Sequence, residues 1–135
     1  MGLSAVLRDE SSAPFFDGTA EGRLMLRHCP KCESWSEPGA LLCANCHSRG
    51  LEWADSIGHG EVVSWTVITG RPHDGVAPPP EVIALVEMSE GPWVHMALVD
   101  HDGLGLTAGT SVVVEFAEVE GGEVMPVARL HTGRS

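Results

Sequence analysis

At 135 residues the chain can form one compact domain or two small modules, and it is too short for more. A hydrophobic share of 43% supports a packed core and excludes wholesale disorder; with no Tyr and three Phe, that core has to be built largely from Val and Leu. The formal charge of −11 is unevenly spread: ten acids but no Lys or Arg stand between Arg71 and Arg129, whereas Arg23, Arg27, Lys31 and Arg49 surround the cysteines. No run of about eighteen apolar residues and no basic-then-apolar leader is present, so a cytoplasmic protein without a membrane span is expected.

Residues 1–12 are small, polar and aperiodic, and read as a flexible tail that orders on a partner. From Ala13 onward, a Pro at the first-turn position, following acids and a closing Gly22 predict a short helix over 13–23 carrying Phe15 and Phe16. Arg23–His28 reads as a strand with Leu24 and Leu26 on one face and Arg23, Met25 and Arg27 on the other. It runs straight into Cys29-Pro-Lys-Cys32, and Cys43-Ala-Asn-Cys46 follows. Leu51-Glu-Trp-Ala54 predicts a strand that pairs back along the first and closes a ribbon over 24–56.

Beyond Gly58 the texture is β. Gly58–Thr69, Glu81–Met88, Trp93–Val99, Ser111–Val119 and Val124–Leu130 read as five strands, punctuated by Gly91-Pro92, Asp102-Gly103 and Gly121-Gly122. Five consecutive strands of this length predict an OB-type Greek-key barrel over 57–132. The fold class is therefore mostly β, with a short N-terminal helix and a four-cysteine ribbon preceding a five-stranded barrel. The Gly70–Pro80 connection contains four prolines and is longer than a hairpin requires, which marks a binding surface or a stiff spacer.

The spacing C-x2-C-x10-C-x2-C between two strands is that of a zinc ribbon, in which each C-x2-C turn directs two thiolates at one tetrahedral Zn(II). Cys29, Cys32, Cys43 and Cys46 are the expected ligands. Four thiolates close the shell and leave no position for an activated water, so the zinc is expected to be structural. His28 and His47 flank ligands and are alternatives to them. Disulfides and a rubredoxin-type iron are further alternatives for the same sulfurs; the x10 separation is short for the iron site.

No nucleophile elbow, zinc-protease helix, P-loop or dinucleotide fingerprint occurs. His95 reads as a half-buried, hydrogen-bonded strand residue, and His73 on the long loop is the one histidine placed to enter a site. Zinc ribbons and OB barrels often bind nucleic acid, which makes such a module the rival reading. The absence of basic residues along the barrel weighs against it, because phosphate binding requires a positive face.

The order Pro14-Phe-Phe-Asp-Gly-x-x-Glu-Gly22, Leu24-x-Leu-x-x-Cys29, the second cysteine pair, Leu51-Glu-Trp53 and Gly58-x-Gly60-x-Val62-x-Ser64 resembles one bacterial and archaeal family. Its members join a rubredoxin-like zinc ribbon to an acyl-CoA-associated OB fold. The resemblance implies a non-catalytic subunit in a hetero-oligomer with a thiolase-like enzyme, completing its acyl-CoA site. An acyl-CoA retro-aldolase is the expected partner, and a thiolase/hydroxymethylglutaryl-CoA synthase or acyltransferase complex is the alternative. Under it, Phe15, Phe16, Leu24 and Leu26 dock on the partner. Arg23, Arg27, Lys31 and Arg49 steer CoA phosphates, while Arg71 and His73 border the acyl channel. Glu33 and His47 depart from the family pattern, since Gly often follows the second cysteine of each pair, where the turn favours a left-handed residue.

Overall fold

In a computed structural model, residues 9–72 and 74–131 are described; the first eight residues of the expected tail, and His73, lie outside them. Residues 9–12 form a hydrogen-bonded turn. Asp9 Oδ1 accepts from the Ser12 N–H at 2.8 Å and from the Ser11 hydroxyl at 2.9 Å. Helix α1, Ala13–Ala20, follows with Pro14 in its first turn. The Ser12 side chain makes no cap to the helix; its hydroxyl accepts from the Asp9 N–H instead. Within α1, Gly18 lies against Met25 so closely that a Cβ would collide with that side chain, which explains a glycine in a helix interior.

The ribbon is an antiparallel three-stranded sheet in the order β2-β1-β3, built from β1, Met25–His28, β2, Trp35–Ser36, and β3, Glu52–Asp55. The back-pairing of β3 on β1 is the expected one, with Leu26 opposite Ala54 and Arg27 opposite Trp53. Strand β2 was not anticipated: two residues carry no periodicity to read.

The barrel comprises β4, His59–Ile68, β5, Glu81–Met88, β6, Trp93–Leu98, β7, Ser111–Ala117, and β8, Met125–Leu130. It closes in the order β4-β5-β6-β8-β7, with β6 and β8 parallel and every other pair antiparallel, as in an OB fold. Alternation along β5 and β6 puts Val82, Ala84, Val86, Met88, Val94, Met96 and Leu98 inside. A bulge between Val62 and Ser64 bends β4, the longest strand, between its two neighbours β5 and β7. At Gly60 a Cβ would sit 2.6 Å from the Glu87 carbonyl oxygen, so only glycine lets β4 approach β5 there.

Part of the ribbon joins the barrel core, while Cys29, Cys43 and Leu51 form a small cluster of their own. Leu24 and Leu26 are buried in the same cluster as Val62, Val86, Met96 and Val112, with Phe15, Trp35 and Trp65 packed against it. This corrects the expectation that Leu24 and Leu26 dock on a partner. They are 2% and 0% exposed because they pack into the cluster formed by the barrel's inward-facing side chains. Phe16, at 6%, is likewise unavailable, and Met25, expected on the outer face, is buried against α1. His95 corrects in the opposite direction: it lies exposed on the outer face of β6, alternating with buried Val94 and Met96.

Candidate metal centre and neighbouring groove

The two cysteine pairs fold as near copies. In the first, the Cys29 N–H donates to the Ser34 carbonyl at 2.9 Å and the Glu33 N–H to the Cys29 carbonyl at 2.7 Å. In the second, Cys43 N–H donates to Ser48 O at 2.8 Å and His47 N–H to Cys43 O at 2.9 Å. Each turn closes through one residue in the left-handed region, Glu33 at φ 63° and His47 at φ 62°, the two positions where the sequence pattern favours glycine. His28 is not at the centre of the cluster; its ring packs edge-on to Trp35, 5.0 Å between centroids.

The four Sγ atoms lie within 4.8 Å of one another. Cys29 Sγ is 3.6 Å from Cys46 Sγ, and Cys32 Sγ is 3.5 Å from Cys43 Sγ. A tetrahedron of thiolates at the zinc–sulfur bond length of ~2.3 Å has edges of about 3.8 Å, so the sulfur set fits one such ion. The backbone N–H groups of Asn45 and Cys46 point at Cys43 Sγ from 3.4 and 3.5 Å, an arrangement that stabilises a thiolate. The thiols are unequal acids. Hydrogen bonds from the Ser34 and Asn45 side chains and the Ser34 backbone bring Cys32 down to about 5. At Cys46 the largest interaction, with the Ser48 backbone, lowers the value, but local desolvation and the three neighbouring thiols outweigh it and push it up to about 11. Cys29 and Cys43 are buried, and Cys46 is exposed.

The cations expected near CoA are not equivalent. Arg23 is committed to Glu21 at 2.6 Å and Asp55 at 3.1 Å, contacts that raise its pKa. Arg27 lies with its guanidinium carbon 4.4 Å from the Trp53 ring centre and donates through Nη2 to the Leu51 carbonyl at 3.1 Å. Lys31 is exposed in the first cysteine turn, Arg49 just past the second, and Arg71 in the connection after β4. Among the described members of the predicted set, Arg23 and Arg27 are already engaged within the fold, and Lys31, Arg49 and Arg71 are exposed.

Sequence reasoning missed a groove of about 470 Å³ between α1 and the ribbon, walled by Phe15, Trp53, Pro38 and Leu41 with Arg27 among its lining. Its signal was present in the alternation of β3, which turns Trp53 toward the helix, where its ring lies 6.5 Å from that of Phe15. A second hollow, about 420 Å³, opens at the barrel end where the exposed rings of His59 and His131 pack 5.6 Å apart. Among the described residues no histidine ring is hydrogen-bonded to a carboxylate or a hydroxyl; His101 Nδ1 accepts from the Gly103 N–H at 2.9 Å and closes a turn.

This arrangement, a four-cysteine ribbon preceding a closed five-stranded barrel, matches two family descriptions in tandem. Residues 16–52 match the ChsH2 rubredoxin-like zinc ribbon domain, and residues 53–125 the ChsH2 C-terminal OB-fold domain. The chain belongs to the ChsH2 zinc-ribbon and OB-fold family. A relative from Thermomonospora curvata, named a probable enoyl-CoA hydratase alpha subunit, is 30% identical over 93% of this chain, which spans 38% of that protein's length. A DUF35 domain-containing scaffold protein from Pyrococcus furiosus is 31% identical over 65% of this chain and 71% of its own. Among solved structures, a chain of an Ltp2-ChsH2(DUF35) aldolase superposes with a TM-score of 0.77 at 28% identity, covering 91% of this chain and 96% of that one. The two family matches together run from within α1 through the ribbon to the start of β8.

Proposed function

We propose that this chain is the non-catalytic subunit of an acyl-CoA retro-aldolase, bound to a thiolase-fold enzyme that carries the chemistry. The observation that carries the reading is the 0.77 superposition, over nearly the full length of both chains, on a chain of the Ltp2-ChsH2(DUF35) aldolase. The scaffold name of the P. furiosus relative supports the same division of labour. The hydratase name of the T. curvata relative fits beside it. Hydration of an enoyl thioester places a hydroxyl on the β carbon, and retro-aldol cleavage of the α–β bond begins from that β-hydroxyacyl thioester.

In this reading Cys29, Cys32, Cys43 and Cys46 hold one zinc ion whose contribution is structural. It fixes the two cysteine turns, and through β1 it fixes Leu24 and Leu26 in the barrel core. Lys31, Arg49, Arg71 and His73 are the groups through which the chain attracts CoA phosphates or borders the acyl channel, while Arg23, already paired with two carboxylates, contributes to the fold. Co-expression with thiolase-fold proteins of the same genome tests the proposal: a stable complex with one of them that cleaves a β-hydroxyacyl-CoA is expected. A chain that stays apart from all of them and leaves their activity unchanged contradicts it.

A further inference from the structure

The groove between α1 and the ribbon holds a cation that the fold leaves incompletely satisfied. Arg27 Nε is buried without a hydrogen-bond partner, and none of the carboxylates of the described residues pairs with its guanidinium. Trp53 holds one face of the group and the Leu51 carbonyl one nitrogen. With Nε enclosed, the terminal nitrogens are the ones a ligand in the groove can meet; Nη2 has the Leu51 carbonyl, and a carboxylate is the planar acceptor that a guanidinium matches best. The walls around it are apolar: Phe15, Trp53 and Pro38, with Leu41 84% exposed at the lip.

Resting on the reading of the chain as an accessory subunit, we propose that this groove seats a peptide segment of the partner subunit, one carboxylate flanked by apolar side chains. The carboxylate meets Arg27 and the apolar groups cover Phe15, Trp53 and Leu41. Charge selects this occupant over two others. Glu10 lines the rim and, with Arg27 the single cation among the lining residues, disfavours a polyanion such as the phosphates of CoA. The chain's own first eight residues, Met1 to Arg8, contain no acid to offer.

The test uses the zinc-loaded full chain and a capped heptapeptide of Leu and Phe with one central Glu, followed by Trp fluorescence and by the Arg27 Nε–H resonance. Saturable binding is expected, with the Arg27 resonance shifting, and with affinity reduced tenfold or more when the central Glu is replaced by Gln or when the protein carries Arg27→Met. A Phe15→Ala protein, with its fold checked by circular dichroism, is expected to weaken both peptides alike, which separates the apolar wall from the charge. Equal binding of the Glu and Gln peptides, displacement of the peptide by free coenzyme A, or binding seen only after residues 1–8 are removed would each overturn the proposal. The peptide requires no partner enzyme, so failure here leaves the accessory-subunit reading standing, and failure of complex formation leaves the groove's chemistry measurable.

Discussion

At the scale of single residues, Glu33 and His47 carry strain that the fold tolerates for the sake of the metal turns. A left-handed conformation costs a residue with a Cβ about 1–2 kcal/mol. Glycine removes that cost and returns roughly 0.5–1 kcal/mol of it as lost chain entropy. Glu33→Gly and His47→Gly are therefore expected to stabilise the zinc-loaded protein by about 0.5–1 kcal/mol each, read as a rise of a few degrees in Tm; a fall would show that these side chains make a contact worth more than the strain. The thiols provide a second check. With zinc stripped, Cys32 near 5 is a thiolate at pH 7 while Cys46 near 11 is protonated. Iodoacetamide at pH 7 is expected to label Cys32 well before Cys46, and zinc to protect both. Labelling in the reverse order would contradict the hydrogen bonding described around Cys32.

At the scale of elements, the way β1 reaches from the metal turns into the barrel couples the two halves. Leu26→Ala opens a fully buried site in the shared core and is expected to cost about 2–5 kcal/mol. Because Leu24 and Leu26, just before the first cysteine turn, lie in the barrel core, chelation of zinc and Leu26→Ala are both expected to lower a single unfolding transition, seen together by far-ultraviolet dichroism and Trp fluorescence. Two separated transitions would mean that barrel and ribbon fold independently. The same packing explains what the sequence did and did not reveal. The barrel strands were legible because alternation along Glu81–Met88 and Trp93–Leu98 is strict and Gly or Pro marks their ends. The cysteine turns were legible because the spacing encodes their geometry. Alternation in Arg23–His28 showed that Leu24 and Leu26 share a face, yet it could not say whether that face meets a partner or the chain's own barrel. The groove stayed hidden for a similar reason: Arg27 and Trp53 are 26 positions apart and meet only through the register of β1 and β3.

At the scale of the whole molecule, charge divides the chain into an acidic barrel and a ribbon that, together with Arg23 just before it, carries half the basic residues. Among the described residues no helix is long and apolar enough to cross a membrane. Arg129, the one cation of the barrel's last strand, is engaged by Glu115 at 2.8 Å and by Asp100, which raise its pKa. Oligonucleotide binding at 150 mM salt is accordingly expected to be absent, and a binding constant that falls steeply with salt would reinstate the nucleic-acid reading. The measurement that bears most directly on the proposed division of labour is β-hydroxyacyl-CoA cleavage by the separately purified chain, by a thiolase-fold protein from the same genome, and by the two mixed at equal concentration. Cleavage by the mixture alone, with both chains co-eluting in size-exclusion chromatography, is the predicted result. Turnover by this chain in isolation, or full activity of the thiolase-fold protein without it, would contradict it.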